Sequence, residues 1–391
     1  MKDIYVVESL RTPFGSFGGV LADVEAPQLA GTVIKMLLEQ ADLDPTAVDE
    51  VIIGQVLAGG VGQAPARQAM RHAGLPDSVH AMTINKVCGS GLKAIMLGAG
   101  SIALGDSEVV IAGGMENMSL APYILKKARY GYRMGHGELT DLMISDGLQD
   151  PYTGRHMGEI ADAAAAKHEL SRTAQDDYAI RSYQLAQKAV KTGIFKDEIV
   201  PVVKKTRKGE ETISDDEEPF KVDFEKLKNL RPAFTKEGTV TAGNASTIND
   251  GAALTLLASG DAMKKYSLKP VARLVAYATN SLAPDLFPDA PVGAIEAACK
   301  RAGIKVKDVD LFEINEAFAA VAMIAIQELK LDPEKINVNG GAVALGHPIG
   351  ASGGRLAATL VREMIKRQVH YGLATLCIGG GEAVAAIFES V

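Results

Sequence analysis

The sequence has no tryptophan, and only 3 of its 391 residues are cysteines. Cys88, Cys299 and Cys377 are too few for the disulfide framework of a secreted protein, so we expect a cytoplasmic location. Cations are not in excess either, with 41 Lys and Arg against 48 Asp and Glu and a formal net charge of −7. This balance argues against nucleic acids and anionic membrane surfaces as partners, because no basic face dominates.

Long apolar stretches are also missing. We find no uninterrupted apolar run of about 18 residues, and residues 1–5 lead directly into a predicted strand, so we expect neither a membrane span nor a leader peptide. Glycine, in contrast, is abundant, with 40 residues concentrated in short turns. A chain of 391 residues is long enough for two or more domains with sizeable cores.

Short apolar segments alternate with amphipathic ones at both ends of the chain. The pattern predicts strands at residues 4–8, 51–56, 81–84, 109–112, 311–314, 336–338, 372–376 and 383–388. It predicts helices at residues 30–40, 67–73, 173–192, 292–303 and 316–329, and two more that follow Cys88 and Gly350. Buried apolar strands separated by helices predict a mostly parallel sheet that is covered on both faces.

The same order of segments occurs twice. Residues 41–53 resemble residues 302–314, and both place a Val-Asp pair seven residues after an alanine. A Ser-Gly pair followed by a Gly-Gly pair occurs in both parts, as Ser90-Gly91 with Gly113-Gly114 and as Ser352-Gly353 with Gly379-Gly380. We therefore predict two duplicated α/β halves.

The predicted halves leave a middle region of different character. The first half covers residues 1–119 and is completed by residues 247–269, and the second covers residues 270–391. Residues 120–246 contain charged, irregular stretches that two packed halves do not need. We expect this insert to be a loop domain that carries a binding surface.

Cys88 stands where a predicted strand changes into a helix of small residues. The unpaired N–H groups and the positive dipole of a helix start favour a thiolate, so Cys88 is a candidate nucleophile. We expect Gly89 and Gly91 to leave room for another molecule to approach. The alternative is a small buried hydrophobic side chain, which is the reading we prefer for Cys299 in its amphipathic helix.

Three further polar side chains follow predicted strands or lie in a glycine-rich turn, namely Asn315, His347 and Cys377. Sites in open α/β sheets form outside the carboxyl ends of the strands, so we expect these groups to meet Cys88 there. A hydrogen-bonded structural histidine is the alternative for His347. Cys88, Cys377 and His347 could also hold zinc, since two cysteines and one histidine form a known catalytic ligand set.

Four stretches resemble the signature motifs of the thiolase family in order and spacing. They are residues 85–94 around Cys88, residues 315–318 (Asn-Glu-Ala-Phe), residues 346–348 (Gly-His-Pro) and residues 377–381 (Cys-Ile-Gly-Gly-Gly). The resemblance covers essentially the whole chain and is nearest to the biosynthetic type. It implies a five-layered α-β-α-β-α fold, a loop domain that binds CoA, and a homotetramer built as a dimer of dimers.

The resemblance also implies a reaction and the groups that perform it. Two molecules of acetyl-CoA condense to acetoacetyl-CoA plus CoA, and thiolysis is the reverse; no cofactor is required. The sulfur of Cys88 attacks the thioester, His347 accepts or shares its proton, and Cys377 is the base for the second substrate. Asn315, through a water, and His347 face the enolate oxygen, while the N–H groups of Cys88 and Gly379 face the oxyanion.

The substrate contacts come from the same resemblance. The implied CoA and pantetheine contacts are Ser246, Lys221, Val222, Asp223, Lys226, Tyr183, His156 and Met157, and the implied acyl walls are Phe234, Phe287 and Phe318. Lys221 stands where the family has arginine, and lysine stacks less well on adenine. For Tyr183 a helix-core role and for Met157 a gap-filling role are the alternatives. One branch of the family binds potassium at positions that match Ala242, Gly243, Ala245 and Val343.

Other functions remain open at this point. A degradative 3-ketoacyl-CoA thiolase of broader chain length would have the same site and differ in the acyl wall. A decarboxylating ketoacyl synthase would have a histidine in place of Cys377. A non-catalytic acyl-CoA-binding protein is the alternative from another class.

Overall fold

The computed structural model describes residues 3–207 and 209–391. Its strands are β1 (Ile4–Arg11), β2 (Gly15–Ser16), β3 (Glu50–Gly54), β4 (His80–Ile84), β5 (Val109–Asn117), β6 (Tyr123–Ile124), β7 (Thr140–Asp141), β8 (Val202–Thr206), β9 (Gly209–Ile213), β10 (Asn249–Ser259), β11 (Ala272–Ser281), β12 (Leu311–Ile314), β13 (Tyr371–Ile378) and β14 (Glu382–Glu389). Its α-helices are α1 (Ala26–Ala41), α2 (Pro65–His72), α3 (Ser90–Leu104), α4 (Met157–Lys167), α5 (Arg172–Thr192), α6 (Phe224–Leu227), α7 (Gly260–Lys265), α8 (Ala290–Ala302), α9 (Ala319–Leu329), α10 (Ala342–Leu345) and α11 (Ser352–Arg367).

The main sheet has the strand order β12-β13-β14-β11-β1-β10-β5-β3-β4, and β2 pairs with β10. Only the pairs β3–β4, β3–β5 and β12–β13 are parallel, so the prediction of a mostly parallel sheet is wrong. Long antiparallel pairings of β10 with β1 and β5, and of β14 with β11 and β13, complete each half. The strand predicted at residues 336–338 is also wrong, because only an isolated bridge from Ile336 to Phe312 forms there.

Helices cover both half-sheets and fill the space between them. The core of α1, α2 and the first half-sheet includes Leu29 and Ile53, and that of α8 and the second half-sheet includes Ile295. Between the half-sheets, α3 and α11 share a third core to which Ile95 and Leu360 contribute. The layers are therefore α, β, α, β and α, which confirms the predicted five-layered fold.

The central helix α3 is unusually apolar. Residues Val87–Leu104 are long enough, at 18 residues, and hydrophobic enough, with a mean hydropathy of 1.5, to cross a membrane by composition alone. Ser90, Lys93 and Ser101 interrupt this stretch, so it is not the uninterrupted apolar run whose absence we predicted. The structure gives the apolar surface of α3 another use, because the helix packs against β3, β5, β10 and α11 in the middle of the protein.

The two halves repeat the same hydrogen-bond register. Asp49 accepts bonds from two backbone amides at the start of β5, and Asp310 accepts the equivalent bonds at the start of β13. Outward from the β1–β11 junction, the order β1-β10-β5-β3 corresponds to β11-β14-β13-β12. This register makes Thr375 the counterpart of Gly113. The alignment of Gly113 with Gly379 is therefore wrong by four residues, although the duplication itself is confirmed.

The middle region contains the helices α4, α5 and α6 and two short hairpins, β6–β7 and β8–β9. The helix predicted at residues 173–192 is confirmed as α5. A fully buried ion group fastens this region to the first half, since Arg11 binds Glu198 and Asp216, each at 2.6 Å. The domain boundaries at residues 119, 246 and 270 stay predictions.

Candidate active site

Cys88 lies in a tight turn between β4 and α3. The turn requires a left-handed backbone at Val87, whose φ is +46°. Ser90 holds this shape, because its Oγ donates to the Val87 carbonyl at 2.6 Å and accepts from the Lys86 amide at 2.8 Å. Asn85 adds a side-chain bond to the Val87 amide at 2.9 Å. The turn thus presents the thiol at the start of the helix, as predicted.

The glycines beside Cys88 serve packing rather than access. A β-carbon at Gly89 would lie 2.4 Å from Cδ1 of Ile378, and one at Gly91 would lie 2.9 Å from the Gly350 carbonyl oxygen. Larger residues would therefore separate α3 from the second half. The expectation that Gly89 and Gly91 keep the space open for a second molecule is wrong.

The Cys88 thiol does not have the low pKa that a helix start suggests. Burial raises its pKa to about 11, although the amide N–H groups of Gly379 and of Cys88 itself act in the opposite direction. The charge of Glu116 contributes a further increase. The predicted preference for a thiolate is wrong for the free protein, because removal of water outweighs the helix dipole here. A proton acceptor must therefore act on the thiol.

His347, which lines the same cavity as Cys88, is the predicted acceptor of that proton. Its Nδ1 lies 2.5 Å from Oγ of Ser352, and this hydroxyl donates to the Pro348 carbonyl at 3.0 Å. A hydroxyl that already donates accepts from Nδ1–H, so the geometry assigns the proton to Nδ1 and leaves Nε2 free. Burial, together with the charge of Arg355, lowers the pKa of His347 to about 3, so the imidazole is neutral.

Asn315 extends the same group of polar atoms. Its Nδ2 lies 3.4 Å from Nε2 of His347, and its buried Oδ1 has no hydrogen-bond partner among the residues that the structure describes. The next residue, Glu316, fixes the loop by accepting bonds from Tyr178, Ser182, Asn337 and the Val343 amide. An unpartnered buried oxygen is suited to a bound water, which is the role that the sequence predicts beside Asn315.

Cys377 lies near the end of β13 and is almost fully buried. Burial raises the pKa of this thiol well above its ordinary value, and the nearby Cys88 raises it further. Both cysteines line the same cavity, as predicted for residues from distant parts of the chain. Because both thiols are protonated in the free protein, their chemistry depends on proton transfers once substrate is bound.

One cavity of about 220 Å³ contains most of the predicted site. Its predicted lining residues are Cys88, His347, Cys377, Gly379, Ser246, His156, Met157, Phe234, Phe287 and Phe318. Asn315 does not line this cavity itself but lies behind His347, which does. The ring of Phe234 stacks on His156 with 4.7 Å between centroids and meets the edge of Phe318 at 6.1 Å. The cavity is thus mainly apolar with a few convergent polar groups, which is typical of ligand sites.

Several contributors were not predicted from the sequence. They are Met118, Gly147, Leu148, Thr247, Ile248 and Ile349, which line the cavity, and Ser352, which binds His347. Met118, Ile248 and Ile349 belong to one apolar cluster with Cys88, whereas Cys377 clusters with the phenylalanines. Only Ser352 had a signal in the sequence, as the serine that opens the helix after Gly-His-Pro.

The predicted nucleotide contacts lie in a second, separate pocket. Tyr183, Lys221, Val222, Asp223 and Lys226 line it together with Glu218, Leu227, Leu230, Ala242 and Gly243. Lys221 donates to Ser16 and to Glu217, at 2.5 and 2.7 Å, and Lys226 pairs with Asp223 at 3.1 Å. Both cations are therefore already paired. The segment from Ala242 to Ser246 connects this pocket to the catalytic cavity.

The structure bears differently on the two metal ions that the sequence suggested, zinc and potassium. Among residues 3–207 and 209–391, no group of three or more His, Cys, Asp or Glu side chains has metal-binding geometry, so zinc has no ligand set in this part of the chain. Of the potassium positions, Ala242 and Gly243 line the second pocket, and Val343 packs in the cluster of Tyr183. Ala245 lines the catalytic cavity instead. A β-carbon at Gly243 would lie 2.8 Å from Leu227, which accounts for glycine at this position.

Comparisons with known families agree with this geometry. Residues 4–261 match the family model described as "Thiolase, N-terminal domain", and residues 268–390 match "Thiolase, C-terminal domain". The chain belongs to the thiolase family. The resemblance predicted from the four motifs is therefore confirmed.

Individual thiolases are similar over their full length. The acetyl-CoA acetyltransferase of Pseudomonas aeruginosa is 52% identical over 387 residues, which are 98% of each chain. That of Chromobacterium violaceum is 51% identical over 389 residues, 99% of each chain. The crystal structure of the Bacillus anthracis acetyl-CoA acetyltransferase matches with a TM-score of 0.98 and 43% identity, covering 100% of this chain and 99% of that one.

Proposed function

We propose that this thiolase is an acetyl-CoA C-acetyltransferase, which condenses two acetyl-CoA to acetoacetyl-CoA plus CoA and also catalyses the reverse thiolysis. The observation that carries the proposal is that Cys88, His347 and Cys377 line one small apolar cavity. The names of the similar proteins from P. aeruginosa and C. violaceum support the same substrate. The reaction is ping-pong, with an acetyl group held on Cys88 between the two substrates.

The first half-reaction transfers the acetyl group to the protein. The Cys88 sulfur attacks the thioester carbonyl while its proton passes to Nε2 of His347. The amides of Cys88 and Gly379 stabilise the resulting oxyanion; removing one such donor typically costs about 10²–10³ in rate. The bond between carbon and the CoA sulfur then breaks, and CoA leaves as the thiol with the proton of Cys377. This leaves Cys377 as a thiolate and Cys88 acetylated.

The second half-reaction forms the new carbon–carbon bond. The Cys377 thiolate removes a proton from the methyl carbon of the second acetyl-CoA, and the enolate oxygen is stabilised by protonated His347 and the water on Asn315. The carbanion attacks the acetyl carbonyl, the bond to Cys88 breaks, and the Cys88 sulfur takes the proton from His347. Each residue regains its starting protonation state, and no cofactor is consumed. Both half-reactions split one difficult transfer into easier steps.

The second pocket supplies the binding energy for CoA in this proposal. The nucleotide part lies near Lys221 and Lys226, and the pantetheine arm follows the segment from Ala242 to Ser246 into the cavity. Potassium at Ala242, Gly243, Ala245 and Val343 remains part of the proposal. A titration with potassium chloride against matched sodium chloride tests it, and unchanged activity contradicts it.

Thiolysis of acetoacetyl-CoA tests the proposed function. The protein is mixed with acetoacetyl-CoA and CoA, and loss of the enolate absorbance is followed. We expect rapid loss with the wild-type protein and with Cys299→Ser, a matched control whose cysteine is buried in a different core. Cys88→Ser should abolish it. Equal rates for Cys88→Ser and wild type would reject Cys88 as the nucleophile, and an inactive wild type would reject the activity.

We also propose that the protein is a homotetramer in the cytoplasm. The segment around the β6–β7 hairpin exposes large apolar side chains, among them Tyr130 at 87%, Met134 at 99% and Leu139 at 62%. Clustered exposed apolar side chains are typical of protein interfaces. Light scattering coupled to size exclusion should give four chains per particle, and Met134→Lys should reduce this number. A monodisperse monomer contradicts the proposal.

A further inference from the structure

Glu116 is a fully buried acid on β5 that the reaction above does not use. We infer that Glu116 is a positioning residue, which fixes the turn of His347 against the turn of Cys88 by binding backbone amides from both halves. The inference rests on the proposed function, because it concerns the groups that perform that reaction.

Three backbone N–H groups converge on the Glu116 carboxylate. The Val56 and Gly350 amides donate to Oε2 at 3.0 and 2.9 Å, and the Leu57 amide donates to Oε1 at 3.1 Å. Val56 and Leu57 follow β3 in the first half, whereas Gly350 belongs to the second half. Hydrogen bonds to an ionised acceptor are roughly twice as strong as neutral ones, so this carboxylate joins the halves at the site.

The bond to Gly350 controls the position of His347. Gly350 comes three residues after His347 and two before Ser352, the residue that orients the imidazole. A β-carbon at Gly350 would lie 2.8 Å from Oε2 of Glu116, so the backbone is in close contact with the carboxylate. Any shift of Glu116 is therefore passed to the short segment that holds the proton acceptor.

The other two bonds control the surroundings of Cys88. Val56, Leu57 and Ile349 pack in the apolar cluster that includes Cys88. The charge of Glu116 also acts on Cys88 directly and raises the pKa of the thiol. A carboxylate bound both to the segment that follows His347 and to the loop that packs beside Cys88 can set the distance between nucleophile and base, on which the rate depends steeply.

Burial disfavours the negative charge of Glu116, whereas backbone hydrogen bonds stabilise it. Burial raises its pKa to about 7, the three backbone bonds lower it, and the nearby acid Asp250 raises it. Acids with perturbed pKa values cluster at functional sites, and Glu116 lies beside the catalytic cavity. The carboxylate is thus ionised throughout the pH range in which Cys88 titrates.

Glu116→Gln tests the inference, because the amide keeps the shape but turns an NH2 group toward at least one backbone donor and removes the charge. We expect kcat for thiolysis to fall about 10- to 100-fold, with KM for acetoacetyl-CoA unchanged within about threefold. The pH midpoint for alkylation of Cys88 by iodoacetamide should shift to lower pH, because a negative charge is lost. The Gly379 amide and the amide of Cys88, which also face the thiol, are unaltered.

Asp49→Asn is the matched control, since Asp49 makes the same kind of bonds to β5 at the opposite end of the strand. It should lower the melting temperature without changing kcat or the alkylation midpoint. A folded Glu116→Gln with kcat within about twofold of wild type, or with an unshifted midpoint, overturns the inference.

If the glutamine variant does not fold, Glu116→Asp tests whether Glu116 is a positioning residue. Aspartate keeps the charge but is one methylene too short to reach all three amides, so kcat should fall while the alkylation midpoint stays in place. A wild-type kcat for this variant overturns the inference. Failure of the proposed function is a different result, in which the wild-type protein itself does not cleave acetoacetyl-CoA.

Discussion

His347 and Ser352 form the shortest link within the site, with 2.5 Å between Nδ1 and Oγ. The hydroxyl belongs to the first residue of α11, and its second bond goes to the carbonyl of Pro348. One serine thus fixes both the tautomer and the ring orientation of the imidazole. Nε2 carries no proton and lies 3.4 Å from Nδ2 of Asn315, and the imidazole lines the cavity that contains Cys88 and Cys377.

Replacing Ser352 with alanine should therefore impair proton transfer rather than binding. We expect kcat for thiolysis to fall about 10- to 100-fold, with little change in KM, because Nδ1 loses its acceptor and the ring can turn. Steady-state kinetics measure this. Ser101→Ala is the control, since Ser101 binds Ser107 at the far end of α3. A fully active Ser352→Ala would show that the imidazole needs no such support.

The pH dependence of Cys88 alkylation should report a protonated thiol. Its pKa of about 11 leaves only about one thiolate in 10⁴ molecules at pH 7. Reaction with iodoacetamide, followed by peptide mass spectrometry in a Cys377→Ser background, should accelerate about tenfold per pH unit between pH 8 and 10, above the pKa of about 7 of Glu116, whose charge acts on the thiol. His347, with a pKa of about 3, contributes no step in this range. A rate independent of pH from 6 to 8 would indicate a preformed ion pair instead.

The phenylalanine wall should limit acyl-chain length. Phe287 is buried and packs against Phe318 with 6.4 Å between ring centroids, closing the side of the cavity next to Cys377. We expect the wild-type protein to prefer acetoacetyl-CoA over 3-ketooctanoyl-CoA. Phe287→Ala should raise the relative kcat/KM for the longer substrate about tenfold, since removing the ring opens space. A wild-type preference for the longer substrate would favour the degradative thiolase.

The buried ion group of Arg11, Glu198 and Asp216 should dominate the attachment of the middle region. Arg11→Met leaves two buried carboxylates without their cation, and we expect a loss of about 3–5 kcal/mol in the free energy of unfolding. Denaturant unfolding measures this loss. The triple variant Arg11→Met, Glu198→Leu, Asp216→Leu should recover most of it. If the single variant is as stable as the wild type, these charges do not hold the region in place.

The sequence predicted what depends on local pattern. The turn at Cys88, the helix from Arg172 to Thr192 and the repeated Val-Asp pair are each encoded within a few neighbouring residues. Strand direction was not predictable in this way, because β5 pairs antiparallel with β10, a strand more than 100 residues later in the chain. Apolar runs look alike whichever direction their partner has.

The electrostatics of the site could not be predicted from the sequence either. Whether the Cys88 thiol is favoured or disfavoured as an anion depends on burial by Met118 and Ile349, which come from different parts of the chain. The role of Glu116 depends on three amides that the sequence places 60, 59 and 234 positions away. A sequence motif identifies the reactive side chains, whereas packing by residues distant in the sequence determines their pKa values.

The repeated register has a consequence for stoichiometry. Because α3 begins at Ser90 and α11 at Ser352, the counterpart of Cys88 is Gly350, and that of Cys377 is Met115. Gly350 and Met115 are packed against each other, with no sulfur nucleophile and no open space. In the proposed reaction each polypeptide of this repeated architecture therefore holds one acyl group, because the second half provides no nucleophile at the position equivalent to Cys88.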